Sequence, residues 1–227
     1  VLVSADYSQI ELRLMAHFSE DESLIEAFHA GKDIHQATAA EVFDVPLDEV
    51  TSEMRRRAKA VNFGVIYGIS DFGLARNLKI SREEARSFID RYFRLYPGVK
   101  RWMDQAIALA REKGYAETLL GRRRRIPDIN SRSMNARRAA ERMAINTPVQ
   151  GSAADIIKLA MVKVHPLLHG MGARMLLQVH DELVVEAPRD RANEVADTLR
   201  AVMSGAASLR VPLPADVGIG DNWAAAH

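Results

Sequence analysis

Strand-forming sequence lies only at the two ends of this chain, and that placement restricts its fold more than any other feature. "VLVSAD" occupies residues 1–6, "ARMLLQVHDELVVEAP" residues 173–188 and "VPLPADVGIGDNW" residues 211–223. Almost everything between carries the apolar period of helices. The order is strand, then a large helical stretch, then strands again. The expected class is α+β, with a sheet built from both ends of the chain and a large helical insertion.

Within the insertion, helical stretches read as 8–20, 21–30, 34–43 with an Asp33 cap, and 52–67 with Ser52 as candidate cap and Gly68 as stop. Others cover 81–96, capped by Ser81 and ended by Pro97 and Gly98, then 99–113, then 133–165 with a break expected near Pro148. "GYAETLLGRRRRIPDIN" reads as a small hairpin or loop, and 189–204 as a late helix.

The chain has 227 residues and no cysteine, which excludes disulfides, thiolate zinc sites and cysteine nucleophiles and fits a reducing cytoplasm. No apolar run reaches the roughly 18 residues of a membrane span, so no membrane partner is expected. Charge is balanced, with 31 basic and 30 acidic residues, but the positives cluster at 55–57, at 122–125 and at Arg137, Arg138 and Arg142. Starting on Val1, directly in a core-like strand, the chain is expected to be cut from something longer.

"QVHDELVVE" at 178–186 poses a physical problem. Side chains of a straight strand alternate in direction, so at least one carboxylate of Asp181 and Glu182 would enter the core filled by the valines. A turn that lifts the acids out, or a cation, resolves it. If one sheet joins both ends, Asp6 and Asp181 meet at one sheet edge. Two carboxylates about 4 Å apart repel by roughly 4 kcal/mol at an effective dielectric of 20. Mg²⁺, which takes hard oxygen ligands with substrate phosphates and water completing its shell, suits such a pair. The plainer alternative is that Asp6 caps the next helix and Asp181 and Glu182 make a solvated turn.

At about 100° per residue, Arg56, Lys59, Phe63 and Tyr67 fall in an arc of roughly 80°, with Arg55 at its border. The stripe runs from cationic to aromatic. Lys and Arg bind phosphate oxygens and aromatic rings stack on bases, so a ligand with a polyphosphate at one end and a flat ring at the other would satisfy it. A helix with snorkelling basic residues at its edge is the alternative.

"DYSQIELR" at 6–13, "RRRAKAVNFGVIYG" at 55–68 and "QVHDE" at 178–182 resemble, in this order, the three polymerase motifs of family A DNA polymerases, the bacterial DNA polymerase I type. The likeness extends to "INTPVQGSAADIIK" at 145–158 and the ending "GIGDNWAAAH". It implies an antiparallel palm sheet with helical fingers: palm 1–18, fingers 19–130, palm 131–227, with thumb and any nuclease domains upstream.

The resemblance implies template-directed addition of deoxynucleotides to a primer 3′-hydroxyl in DNA replication and repair, with two Mg²⁺ ions and with primer–template DNA and deoxynucleoside triphosphates as partners. The protein would act as a monomer, as part of a longer chain. By resemblance, Asp6 and Asp181 hold the metals with the Tyr7 carbonyl, and Glu182 is an accessory acid. Glu11 is similar to the family's gate against a ribose 2′-hydroxyl, and Gln9, His35, Arg55, Lys59, Phe63 and Tyr67 belong to the nucleotide pocket. Lys59 also counts as catalytic. Arg142, Asn146, Gln150 and His180 are similar to residues that touch primer and template. Phe63, rather than Tyr, implies discrimination against nucleotides lacking a 3′-hydroxyl.

The chemistry agrees with this set. Cations held by Asp6 and Asp181 can activate the attacking hydroxyl and stabilise the leaving oxygens, and Lys59 and Arg55 add charge where pyrophosphate departs. "HDE" then reads as the tip of a tight hairpin with the metal as neutraliser, although no Gly or Asn supplies a primed turn. The rival classes are a metal-dependent nuclease, which has no use for a triphosphate-and-base stripe, and a non-enzymatic nucleic-acid-binding module whose acids are vestigial or structural. Without the upstream segments, the chain is expected to bind primer–template poorly and its first strand to lack neighbours. Arg122–Arg125 could track template phosphates or form a solvated loop. His165 and His169 lack an acid to complete a zinc set. Phe88, Tyr92, Phe93, Tyr96 and Trp102 read as core packing. Gly64 and Gly68 could serve a bend or a close backbone approach.

Overall fold

The computed structural model describes residues 1–227. Its strands are β1 (Leu2–Tyr7), β2 (Tyr115–Glu117), β3 (Arg123–Arg125), β4 (Arg174–Val179), β5 (Glu182–Glu186) and β6 (Ala215–Gly220). β1 is central in a four-stranded sheet of order β4-β5-β1-β6, antiparallel to both its neighbours. The class is α+β, with a sheet drawn from both ends. The expectation that β1 lacks neighbours is wrong, because β5 and β6 both come from the last third of the same chain and flank it completely.

The pleat gives the sheet two different faces. Val3, Ala5 and Tyr7 are buried on one, where the Tyr7 hydroxyl donates to the Met203 carbonyl of α9 (Ala192–Ser204) at 2.8 Å. Ser4 and Asp6 point to the other. By register, Glu182 and Asp216 stand beside Asp6 there, and Gly218 beside Ser4. The short α10 (Trp223–Ala226) lies over this face. A Cβ on Gly218 would come within 2.2 Å of the Ala226 carbonyl oxygen, and one on Gly220 within 2.5 Å of the Ala225 carbonyl carbon. Only glycine lets the terminal helix approach so closely.

The chain divides into two compact units, Val1–Arg13 with Gln150–His227, and Leu14–Val149. The divisions fall inside α1 (Ile10–Ser19) and α8 (Met134–Gly170). The second unit is helical: α2 (Glu22–His29), α3 (Ile34–Phe43), α4 (Ser52–Ile66), α5 (Asp71–Leu78), α6 (Arg82–Leu95) and α7 (Pro97–Lys113), with the β2–β3 hairpin. Asp33 and Ser81 cap α3 and α6 as expected, whereas α4 is capped by Thr51, one residue before Ser52. Pro97 opens α7, where its missing N–H costs nothing.

Asp21 joins two helices. One carboxylate oxygen accepts from Leu24 N at 3.0 Å, capping α2, and the other from Gly98 N at 2.6 Å in the first turn of α7. Phe88, Tyr92 and Tyr96 are core, whereas Phe93 and Trp102 of the same aromatic series are half-buried. Gly64 makes room for the Ile69 side chain, 3.0 Å from where its Cβ would lie.

No break occurs near Pro148. α8 runs unbroken from Met134 to Gly170 through both Pro148 and Pro166. Each proline removes one rung, but Ala144, Ile145 and Val149 are buried around the first and Val164 and Leu168 around the second, and packing holds the helix across the gaps. No helix is long and apolar enough to cross a membrane.

Candidate active site

In the sheet unit, β4 and β5 are joined by a two-residue turn, His180 and Asp181, between the paired residues Val179 and Glu182. His180 takes a positive φ of 55°, a conformation in which His is several-fold enriched among non-glycine residues. That is how a turn without Gly or Asn forms here. Gln178 Nε2 donates to the His180 carbonyl at 2.5 Å and steadies it. On the facing strand, Tyr7 N donates to the Asp181 carbonyl at 3.2 Å, which ties the turn to the end of β1. Gln9, at the passage from β1 to α1, has the same strained backbone with φ 55°. Gln9 stands three residues after Asp6 and His180 one residue before Asp181, both at positive φ, as are Glu20, Asp44 and Lys79 elsewhere in the chain.

Glu182 departs from the expected hairpin tip. It is the first residue of β5 and 5% exposed, the acid that the alternation drives inward. Protein groups satisfy it: Oε1 accepts from Ser4 Oγ at 2.5 Å and Trp223 Nε1 at 2.7 Å, with His227 Nδ1 at 3.5 Å. Burial pushes its pKa up, but the Ser4, Trp223 and His227 contacts outweigh that and hold the carboxyl below its ordinary range.

Asp6 has the opposite balance. Burial first, then the negative charges of Asp181, Glu182 and Asp216, raise its pKa to about 6, against a smaller opposing effect of His227. Asp6 and Asp181 are therefore close enough to repel. Asp216 was not singled out from sequence; its register opposite Asp6 is visible only once β6 is placed. No cluster of three or more His, Asp or Glu side chains forms a metal cage. The donor set fits an ion that takes one or two carboxylates from protein and completes its shell with substrate and water, as Mg²⁺ does. Glu11 follows in the first turn of α1.

In the helical unit, α4 buries Ala58, Val61, Asn62, Val65 and Ile66. Lys59 is exposed and Phe63 and Tyr67 are half-buried, so the cationic-to-aromatic stripe lies off the core face. The rings of Phe63 and Tyr67 are 6.3 Å apart and 29° from parallel. Arg56 leaves the stripe for Glu53, at 2.7 and 2.8 Å. Arg55 Nε is held at 2.6 Å by Asp33, whose other carboxylate oxygen caps α3 through His35 N and Gln36 N. Burial alone would raise the Asp33 pKa; Arg55 and the cap bring it below its ordinary value. His35 is 3% exposed, 5.8 Å from the Phe63 ring, and neutral at pH 7: burial, helped by Arg55 and Lys59, lowers its pKa to about 4, against the pull of Asp33.

Arg142 lines a cleft of about 610 Å³ beside Gly68, with Phe72, Arg82, Lys100 and Arg138 on the same walls. Asn146 Oδ1 and Thr147 Oγ1 are buried with no hydrogen-bond partner. Such atoms ask for a ligand or water. Gln150 belongs to the sheet unit, with His180. Of the arginine run, Arg123 pairs with Glu117 at 2.6 Å and lies over the Tyr115 ring, in an exposed hairpin strand. His165 and His169 are exposed and join no metal cluster.

Sequence reasoning missed Asp33 as a partner of Arg55, Trp223 as a partner of Glu182, and the buried pair Thr38 and Asn62. Only Asn62 carried a signal, as an amide on an otherwise apolar helix face.

A family model described as DNA polymerase family A matches residues 1–225. DNA polymerase I of Bacillus caldotenax is 56% identical over 225 residues, covering 98% of this chain and 26% of that protein. The thermostable DNA polymerase I of Thermus aquaticus is 55% identical over 226 residues, covering all of this chain and 27% of that protein. Among solved structures, the POL domain of Pol1 from M. smegmatis, in complex with DNA primer-template and dNTP, superposes with a TM-score of 0.94 at 49% identity, over 99% of this chain and 40% of that one. The chain spans about a quarter of the length of these curated relatives. With the motif residues on the sheet edge and on α4, these matches mean that the chain belongs to DNA polymerase family A.

Proposed function

We propose that this chain is the catalytic portion of a template-directed DNA polymerase, adding deoxynucleotides to a primer 3′-hydroxyl. The observation that carries this is the placement of Asp6 at the end of β1 within electrostatic reach of Asp181, whose carbonyl accepts from Tyr7 N, so that an anionic Asp6 is costly unless a cation joins it. The sheet unit serves as palm and the helical unit as fingers. Asp6, Asp181 and the Tyr7 carbonyl would hold divalent ions, read as two Mg²⁺. When bound, these supply Lewis acidity at the primer hydroxyl and charge neutralisation at the phosphates.

The remaining work falls to side chains. Lys59 and Arg55, the latter aimed by Asp33, place positive charge at the departing pyrophosphate, where charge develops most in the transition state. Phe63 packs on the nucleotide's sugar and base beside Tyr67, Gln9 and His35 complete the pocket, and Glu11 excludes a ribose 2′-hydroxyl. Arg142, Asn146, Gln150 and His180 contact primer and template, the orphaned Asn146 Oδ1 supporting a polar ligand there. Glu182 supports the hairpin rather than carrying an ion. The partners are primer–template DNA and deoxynucleoside triphosphates, and the protein works in the cytoplasm as a monomer.

The test is incubation of a defined primer–template with deoxynucleotides and Mg²⁺, using a protein that includes the sequence upstream of Val1. Extension of the primer, lost in Asp181→Asn with template binding retained, is expected. Strand degradation without extension would identify a nuclease instead, and activity untouched by Asp181→Asn would identify a binding module with structural acids.

A further inference from the structure

Asn62 lies on the core face of α4 and Thr38 on the core face of α3, and both are fully buried. An apolar side chain would fill either position without the cost of burying a polar group, so these two need partners. They have them. Thr38 Oγ1 donates to Asn62 Oδ1 at 3.0 Å, and Asn62 Nδ2 lies 2.9 Å from His35 Nδ1. Behind them, the buried Tyr96 hydroxyl is hydrogen-bonded to Thr38.

The direction of this chain is set at Thr38, whose single hydroxyl proton goes to Asn62 Oδ1 and so turns the Asn62 NH₂ toward His35. His35 Nδ1 must accept. Burial first, then the Arg55 and Lys59 cations, disfavour a charged ring against the pull of Asp33, so His35 keeps one proton, and it resides on Nε2.

We propose that Thr38 and Asn62 are positioning residues that fix His35 as the Nε2–H tautomer, so that a neutral N–H donor faces the nucleotide's triphosphate beside Arg55 and Lys59. The assignment of the triphosphate rests on the function proposed above; the tautomer does not. A donor of this kind binds a phosphate oxygen without adding a third full charge to the pocket. If Asn62 turned over, Nε2 would become a bare acceptor and repel the same oxygen.

The experiment is long-range ¹H–¹⁵N correlation on ¹⁵N-histidine-labelled intact protein at pH 7.5, with steady-state kinetics on the same samples. Wild type and Thr38→Ser are expected to show His35 Nδ1 as an unprotonated ring nitrogen and Nε2 as protonated. In Thr38→Val nothing holds Asn62 Oδ1, so the two shifts should move toward each other, and KM for deoxynucleotide should rise about tenfold, with kcat changed far less. Asn62→Asp, which invites a proton onto Nδ1, should give the same kinetic change and serves if Thr38→Val fails to fold. A wild-type His35 protonated at Nδ1, or a tautomer unmoved by both substitutions, overturns the inference. Loss of the tautomer with no change in KM would leave the relay standing and count against His35 as a triphosphate contact.

Discussion

The Glu182 carboxylate accepts a hydrogen bond from the Trp223 indole at 2.7 Å, linking the β4–β5 hairpin to α10. Glu182 is almost wholly buried, so its charge depends on this bond, on Ser4 and on His227. Trp223→Phe should cost about 1–2 kcal/mol in urea unfolding at pH 7. Because the folded pKa of Glu182 is depressed, its contribution is present above the ordinary carboxylate range and is lost as pH falls through and below it. The variant and wild type should therefore converge as pH falls below the ordinary carboxylate range. Equal unfolding midpoints at pH 7 would show that the indole bond does not stabilise the fold.

Asp6 predicts the opposite pH slope. Its folded pKa, about 6, lies above the ordinary 3.8, so the folded state holds the proton more tightly than the unfolded one. In chelator, this group should make the protein less stable as pH rises from about 4 to about 7. Asp6→Asn, or a bound divalent ion, should remove that decline. Thermal unfolding of both proteins across this range, with EDTA and with Mg²⁺, checks it; parallel curves would mean that Asp6 bears no penalty.

Asp33 separates a helix cap from a charge clamp. Asn caps helices about as well as Asp, so Asp33→Asn should leave stability nearly unchanged while freeing Arg55, raising KM for deoxynucleotide several-fold. Asp33→Ala should in addition cost about 1 kcal/mol. Identical kinetics in Asp33→Asn and wild type would remove Asp33 from the account of the pocket.

His180 holds a left-handed backbone. His180→Val should lower stability by about 1–2 kcal/mol, because a β-branched residue tolerates that conformation poorly. His180→Gly should be neutral or up to about 1 kcal/mol more stable, yet bind primer–template more weakly. Calorimetry and fluorescence anisotropy separate the two effects. Equal stability of Val and Gly at this position would contradict the strained turn.

Much of this architecture was legible in the sequence because it follows from local periodicity and from the order of strands and helices. Strands at both ends around a helical stretch pointed to one sheet, and Asp33 and Ser81 announced their helices as short polar residues before apolar-periodic runs. The seam of α8 was not legible. A proline rule sees a lost rung at Pro148 but not the buried Ala144 and Val149 that hold the helix through it. Glu182 was misplaced because turn chemistry alone could not reveal that His180 accepts a positive φ, which shortens the tip by one residue and sends Glu182 into the strand. Asn62, Thr38 and Trp223 act through partners 24 or more residues away, beyond any helical or strand period.

The central claim is that Asp6 and Asp181 hold divalent ions together. Electron paramagnetic resonance of Mn²⁺, titrated into the protein with primer–template and a non-hydrolysable deoxynucleotide, measures it directly. Tight binding in the wild type that weakens at least tenfold in both Asp6→Asn and Asp181→Asn is the predicted result. Ion binding that either substitution leaves unchanged would contradict it.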